Sequence, residues 1–147
     1  MIRWFAQERA SSCVAACVRM VLTVWGKEYS EGEIRFLLGN PLFGVTLQQA
    51  AHKLVAAGAI AQWHDDWGLD DLRDCLRDGN FPIVGLERHF FGHPSAAHAV
   101  VVTAVSGQSV TFFDPLSAKP QVPHSETFLA AWHSAGQETL LVLSQLS

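Results

Sequence analysis

The chain has 147 residues, of which 49% are hydrophobic and 16% are charged, and its formal net charge is −4. These values predict a single compact domain over residues 1–147 and argue against intrinsic disorder. A mildly acidic chain without a basic run has no electrostatic reason to bind nucleic acid or anionic lipid. No apolar stretch approaches the ~20 residues of a membrane helix, and no signal peptide is recognisable. We therefore expect a cytoplasmic protein, a domain on the cytoplasmic face of a membrane, or a fragment of something larger.

Helices predominate among the predicted elements before residue 80. The segment MIRWFAQ is expected to form a short strand or an extended arm. Ser11 or Ser12 can cap a helix over VAACVRMVLTVW, which Gly26 ends; because this helix is apolar nearly all round, we expect it to be central and buried. Ser30 and Thr46 are expected to cap the next two helices, EGEIRFLLG and LQQAAHKLVAAG. A strand, AIAQWH, and an amphipathic helix, LDDLRDCLRDG, follow.

Strands predominate after residue 80. The β-branched apolar runs FPIVGLE and HAVVVTAV and the segment SVTFFD predict strands, whereas the prolines of SAKPQVP predict an irregular or edge segment. A helix, SETFLAAWHSAG, with Ser125 as a candidate cap, and a last strand, ETLLVLSQ, complete the pattern. Helices followed by strands indicate an α+β fold with an antiparallel sheet.

Cys13 is the cysteine whose position suggests chemistry. Three cysteines without framework-like spacing argue against disulfides, and no Cys or His pair has zinc-finger spacing, so we expect no metal and no cofactor. Cys17 and Cys75 fit the usual role of a small buried apolar residue. Cys13 lies instead at the start of the predicted buried helix, where free N–H groups and the helix dipole favour a thiolate by about 1 kcal/mol or less.

Gln7 lies six positions before Cys13, in the segment QERASSC. Attack of a thiolate on a carbonyl passes through a tetrahedral oxyanion, and a donor placed at that oxygen contributes about 3 kcal/mol. The Gln7 amide and the backbone N–H of Cys13 are candidates for such donors. A surface glutamine in a polar segment is the alternative interpretation, and the spacing alone does not separate the two.

His98 begins a predicted strand that is otherwise apolar. Such a side chain needs a polar partner, either a backbone carbonyl or another side chain. If Val105, Ser106 and Gly107 form a three-residue loop with a bulge, His98 lies directly opposite Asp114, with Cβ atoms about 4.5–5.5 Å apart. A two-residue turn would instead place the two side chains on opposite faces of the sheet. Asp-Pro is otherwise a common start of a turn.

Together these residues resemble a known family. Papain-like peptidase domains that trim double-glycine leader peptides in bacteriocin-exporting ABC transporters begin with Gln, five residues and a catalytic Cys on a buried helix, as in QERASSCVAACVRMVL here. They continue with a His that begins an apolar strand and a strand that ends in Asp-Pro, as in HAVVV and VTFFDP here. The order of the motifs and the length agree, so the resemblance covers essentially the whole chain.

The resemblance implies a papain-like fold, with a buried nucleophile helix packed on an antiparallel sheet, and cysteine peptidase activity. It implies Cys13 as the nucleophile, His98 as the general base and then acid, and Asp114 as the residue that orients His98. Gln7 would line the oxyanion hole. A peptide or protein substrate would bind in a cleft bordered by the loop 86–97, and an ABC transporter or another domain would be the fusion partner of a longer protein. The family usually has Asp-Cys-Gly where this chain has Ser-Cys-Val, and the bulkier valine bears on substrate choice.

Two other functions stay open from the sequence. The same triad supports acyl transfer or glutamine deamidation, as in toxin-type effector domains, because the choice of acceptor depends on the shape of the cleft. The other is a non-catalytic peptide-binding module in which His98 and Asp114 are structural groups. Relatives of that kind typically lack the cysteine that is present here.

Overall fold

The computed structural model describes residues 1–146, which form five α-helices and six strands. The helices are α1 (Cys13–Leu22), α2 (Glu31–Leu37), α3 (Leu47–Ala56), α4 (Leu69–Arg77) and α5 (Ser125–Ser134). The strands are β1 (Ala61–His64), β2 (Ile83–Glu87), β3 (Ala97–Val105), β4 (Val110–Asp114), β5 (Ser117–Gln121) and β6 (Thr139–Val142). Short 3₁₀ helices follow α1 and β2, at Thr23–Trp25 and Arg88–Phe91. No helix within residues 1–146 has the length and apolar character needed to cross a membrane.

The six strands form one sheet in the order β1-β6-β2-β3-β4-β5, and every neighbouring pair is antiparallel. The predicted α+β class with an antiparallel sheet is therefore confirmed. The proline-containing segment forms β5 at the edge of the sheet, where a residue without a backbone N–H leaves no inner ladder incomplete.

Helices cover both faces of this sheet. Alternate residues of a strand point to opposite faces, so Ile83 packs with α1–α3 whereas its neighbour Val84 packs with α4 and α5. The first core contains Val18 and Leu22 of α1, and the second contains Leu72, Phe128 and Trp132. α1, α2 and α3 pack on one face of the sheet, as expected for a buried nucleophile helix on an antiparallel sheet, and α4 joins α5 on the opposite face.

Two of the predicted helix caps are present as capping boxes. Ser30 Oγ accepts from the N–H of Glu33, and the Glu33 carboxylate accepts from the N–H of Ser30, both at 3.0 Å. Thr46 and Gln49 form the same reciprocal pair at 3.0 Å. Each box satisfies two N–H groups at the start of its helix.

The other two predicted caps are wrong. Ser12 occupies the position before α1, but its hydroxyl makes no capping bond and instead contacts the buried carboxylate of Glu31 at 3.0 Å. Ser125 lies inside α5, where Nδ1 of His124 accepts from the N–H of Glu126 at 3.2 Å. At α5 the adjacent His124 makes the capping bond, whereas at α1 the Ser12 hydroxyl is bonded to Glu31.

The N-terminal segment is an extended arm and not a strand. Its N–H groups and side chains bond to distant parts of the chain: Arg3 N–H to Thr23 Oγ1 at 3.0 Å, and the Trp4 indole N–H to the Asp114 carbonyl at 2.8 Å. The N–H of Gln7 donates to the Pro115 carbonyl at 3.0 Å. These bonds hold the arm against the end of β4, immediately before the chain enters α1.

The hairpin between β3 and β4 differs from the predicted one. The paired residues are Val105↔Val110, Ala104↔Thr111, Val102↔Phe112 and Val101↔Phe113. The loop therefore has four residues, 106–109, and Thr103 forms a bulge, so the three-residue loop and the direct opposition of His98 and Asp114 are wrong. His98 is three residues from Val101 and Asp114 is one residue from Phe113, so both side chains nevertheless point to the same face.

Candidate active site

Cys13 is the first residue of α1, and its side chain is partly exposed. The rest of α1 is buried between the sheet and α2, through residues such as Val18 and Met20. The helix therefore has little freedom to move, and its first turn presents the thiol at the edge of the core next to β3.

His98 and Asp114 form a direct pair beside this thiol. His98 is 7% exposed, and its Nε2 lies 2.7 Å from Asp114 Oδ1. The same carboxylate oxygen accepts from the N–H of Leu116 at 2.8 Å, and the Trp4 indole bonds the Asp114 carbonyl. Because Nε2 of His98 is hydrogen-bonded to Asp114, Nδ1 is the ring nitrogen that can interact with the Cys13 thiol.

Opposing effects act on the pKa of the Cys13 thiol. Burial alone would raise it, but the hydrogen bond to His98 and the N–H of Ala99 lower it, with further help from the His98 charge and the N–H of Val14. The balance leaves the pKa of Cys13 below that of an ordinary thiol. The site therefore favours the thiolate, which is the nucleophilic form of cysteine.

The two partners of the thiol shift in the complementary directions. Burial lowers the pKa of His98, but hydrogen bonds to Asp114 and Cys13 outweigh it and raise the pKa to about 9. Burial raises the pKa of Asp114, but the bonds from His98 and Leu116 and the nearby charge of Arg88 bring it below its ordinary value. The contacts among the three groups therefore favour the ionised forms of Cys13, His98 and Asp114 together.

The other two cysteines have the opposite character. Cys17 lies one turn further along α1, is fully buried, and burial raises the pKa of its thiol well above the ordinary value. Burial and the charges of Asp78 and Asp74 raise the pKa of Cys75 to about 11. Both therefore remain protonated thiols at neutral pH.

A buried carboxylate that the sequence analysis missed supports the loop before Cys13. Glu31 has no exposed surface and accepts hydrogen bonds from the N–H of Glu8 at 2.9 Å, from Ser12 Oγ at 3.0 Å and from Arg35 Nε at 3.1 Å. These bonds link the start of α2 to the segment that leads into α1. The sequence did not predict that Glu31 is buried, because an acidic residue directly after a capping serine is the usual composition of a first helical turn.

Gln7 lies in the same loop, but its amide is engaged. Its Nε2 donates to the carbonyls of Arg9 at 2.7 Å and Ala10 at 3.2 Å, while Oε1 is buried without a hydrogen-bond partner among the described residues. In this arrangement both amide protons point to the backbone. A contribution of Gln7 to an oxyanion hole requires the amide to exchange these bonds for the substrate oxygen.

Two cavities meet at His98. One, of about 710 Å³, contains Cys13 and lies between the loop that includes Phe43 and the start of β3 at Ala97. The other, of about 630 Å³, contains Asp114 but not Cys13 and is bordered by the loop between β4 and β5. His98, Arg88 and Leu116 line both cavities, so the two adjoin at these side chains and together form the candidate cleft.

The loop 86–97 borders this cleft, as predicted, through Arg88, Phe91 and Ala96. Glu87 fixes the shape of the loop by accepting from the N–H of His89 at 2.8 Å and from Ser95 Oγ at 2.7 Å. These two bonds are the main reason that the pKa of Glu87 falls to about 2. This wall of the cleft, the loop 86–97, is therefore held in its conformation by internal hydrogen bonds.

Solved structures share this architecture. A C39-like peptidase from Bacillus anthracis superposes with a TM-score of 0.78 at 14% identity, covering 99% of this chain and 96% of that one. The peptidase domain of Streptococcus ComA, a bifunctional ABC transporter involved in quorum sensing, gives 0.74 at 19% identity over 99% and 100%. A double-glycine-motif protease from an AMS/PCAT transporter, solved with its leader peptide, gives 0.72 at 19% identity over 98% and 93%. No curated protein sequence matches the chain.

The fold is that of papain-like peptidase domains, with the thiol on a buried helix and the imidazole on the sheet. The chain belongs to the peptidase C39-like family, whose model matches residues 1–140. It is accordingly a cysteine peptidase, as the resemblance of its motifs predicted.

Proposed function

We propose that this peptidase uses Cys13 as its nucleophile, His98 as its general base and acid, and Asp114 as the residue that orients His98. The observation that carries the proposal is the position of His98 between the Cys13 thiol, whose pKa it lowers, and Asp114, whose Oδ1 lies 2.7 Å from Nε2. Three segments that are distant in sequence supply these groups. Contact between them lowers the pKa of the thiol and raises that of the imidazole, which is the charge state that acyl transfer to sulfur needs.

The reaction proceeds in two halves. The Cys13 thiolate attacks the scissile carbonyl, and the tetrahedral oxyanion collapses as His98 gives its proton to the leaving amine, which breaks the C–N bond. The resulting thioester is then attacked by water, whose proton passes to His98, and the carboxylic acid leaves as the thiolate is restored. Asp114 stays ionised throughout and stabilises the imidazolium.

The oxyanion is expected to form next to the first turn of α1. The backbone N–H of Cys13 and the amide of Gln7, once it has released the carbonyls of Arg9 and Ala10, are the proposed donors. This exchange of bonds would accompany substrate binding, because donors in a resting site often align only in the reacting complex.

The proposed substrate is a peptide with a double-glycine leader. Two of the similar structures are peptidase domains of transporters, and one was solved with such a leader peptide. Val14 and Ala97 line the cavity that contains Cys13, and residues without side chains pass most easily between such walls. Leu42 and Phe43, 82% and 96% exposed, provide apolar surface at the rim of the same cavity. By the same likeness, we propose an ABC transporter as the fusion or binding partner and a cytoplasmic location.

Incubation with a pool of double-glycine leader peptides, followed by mass spectrometry, tests this function. The native protein should release fragments that end in Gly-Gly, and Cys13→Ala should release none. Fragments extended by an amine acceptor, or a glutamine converted to glutamate, would identify transferase or deamidase chemistry instead. Equal cleavage by both proteins would exclude Cys13 from the mechanism.

A further inference from the structure

Arg88 is a cation of the cleft whose charge acts on the nearby Asp114 without a direct bond between the two side chains. Its backbone is fixed, because its N–H donates to the Ala96 carbonyl at 2.9 Å and its carbonyl accepts from the N–H of His93 at 3.4 Å. Its half-buried side chain forms no hydrogen bond or ion pair within residues 1–146, whereas Arg35 contacts a carboxylate at 3.1 Å. A guanidinium held in a concave site without a partner is suited to a ligand that brings its own acceptor oxygens.

The position of Arg88 relative to the chemistry indicates which part of a substrate it meets. The cavity of about 630 Å³ begins at His98 and extends away from Cys13. His98 must deliver its Nδ1 proton to the nitrogen of the leaving amine, so the residues that follow the scissile bond pass close to His98, where the two cavities adjoin. Arg88 lines this cavity as well as the one that contains the sulfur. It therefore lies beside the first residues of the leaving segment.

The charge of this cavity is not balanced. Among the described residues, Asp114 is the carboxylate that lines it, and both His98 and the N–H of Leu116 already bond to Asp114. The remaining ionisable groups of the lining are Arg88 and the exposed His93. When His98 is protonated, the cations of this lining outnumber its one carboxylate, which favours an anionic group over a neutral or cationic one.

We propose that Arg88 is a specificity-determining residue that binds a carboxylate of the substrate on the leaving-group side. The peptidase would then prefer Asp or Glu within the first two residues after the cleaved bond. The inference rests on the proposed function, because it requires His98 to be the proton donor. Phe91 and Leu116, which line the same cavity, would cover the methylene groups of such a side chain.

A charged and a neutral alkylating agent test the placement of this cation without any peptide. The ratio of Cys13 alkylation rates for iodoacetate and iodoacetamide should fall about two- to five-fold in Arg88→Gln, the size expected of one partly exposed charge interaction. Arg88→Lys should keep the native ratio. Arg9→Gln is the matched control, since it removes an equal charge from a side chain that lines neither cavity. An unchanged ratio in Arg88→Gln would overturn the placement.

Two leader peptides that differ only by Glu or Gln at the first position after the double glycine test specificity. The native protein should cleave the Glu peptide with a kcat/KM about two- to five-fold higher, and Arg88→Gln should abolish that preference. Equal cleavage of both peptides by the native protein would overturn the inference and leave the peptidase function intact. A loss in Arg88→Gln that is equal for both peptides would also overturn it, because Arg88 would then act through Asp114. If the native protein cleaves neither peptide, the proposed function fails and the inference with it.

Discussion

Cys13 and Cys17 lie one turn apart on the same helix, yet their thiols differ in chemistry. The start of a helix favours an anion by only about 1 kcal/mol or less, so position on α1 does not by itself make a thiolate. Cys13 differs because His98 and the N–H of Ala99 contact its sulfur, whereas burial acts on Cys17 without such compensation. The reactivity of Cys13 therefore depends on residues of β3 as much as on its position at the start of α1.

Replacement of Asp114 tests the orientation of the imidazole. Asp114→Ala should lower kcat by about 10²-fold or more, because His98 Nε2 loses its partner and the imidazolium its counter-charge. Asp114→Asn should be milder, since a carboxamide oxygen still accepts from Nε2–H. The measurement is the cleavage rate of a peptide substrate as a function of pH.

The pH dependence of the cleavage rate distinguishes a role of Asp114 in stabilising the His98 imidazolium from a merely structural role. Asp114 is among the groups that raise the pKa of His98 to about 9, so the native rate should fall as pH rises through that value and the imidazolium is lost. In Asp114→Asn the same descent should occur at lower pH, because the neutral amide stabilises the imidazolium less. A descent that stays at the native pH in the variant would contradict the assignment.

Glu31→Gln tests the support of the loop before Cys13. The amide keeps one oxygen for the N–H of Glu8 but presents an N–H₂ or a neutral oxygen to Arg35, so unfolding free energy should fall by about 1–3 kcal/mol. Alkylation of Cys13 should slow at the same time, since Ser12 loses a charged partner. Urea denaturation and alkylation rates measure the two effects.

Glu33→Gln is the matched control, because Glu33 lies on the same helix but in an exposed capping box. Its amide oxygen can still accept from the N–H of Ser30, so stability and Cys13 alkylation should change less than in Glu31→Gln. Equal effects of the two variants would show that the buried position of Glu31 has no special importance.

At the scale of elements, predictions succeeded where the deciding interaction was local. Ser30 and Thr46 form their capping boxes with residues three positions later, and a sequence pattern contains all of that information. The cap at Ser12 failed because its hydroxyl is bonded to the distant Glu31, and the cap at Ser125 failed because the adjacent His124 takes the capping position. A partner nineteen residues away, as Glu31 is from Ser12, leaves no local signal.

The β3–β4 hairpin brings His98 and Asp114 to one face through a register that the sequence did not predict. Ala104 is six residues from His98, and its partner Thr111 is three from Asp114, so the pairing next to the turn alone would put the two side chains on opposite faces. The bulge at Thr103 reverses this, and His98 and Asp114 share a face as predicted. The shared face was predicted from a three-residue loop that does not form; the four-residue loop and the bulge together produce the same result, and neither follows from the sequence.

Substitution of Gly44 tests whether the loop that borders the Cys13 cavity needs its left-handed backbone conformation at this residue. Its φ is +90°, and a Cβ there would lie 3.0 Å from the Ser11 carbonyl oxygen. Gly44→Ala should therefore lower stability by about 1–3 kcal/mol, measured by urea denaturation. Gly107→Ala is the control, because its φ is not in the left-handed region and no atom lies within 4 Å of the added methyl. A loss in Gly107→Ala as large as in Gly44→Ala would contradict this account.

At the scale of the whole molecule, one sheet is the shared wall of two cores. Val101 of β3 packs against α1, and the adjacent Val100 packs against α4 and α5. His98 continues that strand to the edge where the two cavities meet. The active-site cleft therefore depends on both cores, although its sulfur comes from one of them.

Shared strands predict cooperative unfolding of residues 1–147 as one domain. Transitions in urea followed by tryptophan fluorescence and by far-ultraviolet circular dichroism should coincide, because neither core can lose its helices without exposing the same strands. Trp132, fully buried in the core with α5, and Trp63, partly buried near the other core, report on both faces. Two separate transitions would show that the faces are independent units.

The most direct test of the central claim is the pH profile of alkylation at each of the three cysteines, measured by peptide mass mapping after brief exposure of the native protein to iodoacetamide. Because contact with His98 lowers the pKa of the Cys13 thiol, Cys13 should react at about pH 6 at least ten-fold faster than Cys17 and Cys75. In His98→Ala its reactivity should rise only as pH approaches about 8.5, the value of a free thiol. Slow and equal alkylation of all three cysteines, or a Cys13 profile that is the same with and without the imidazole, would contradict the thiolate–imidazolium pair.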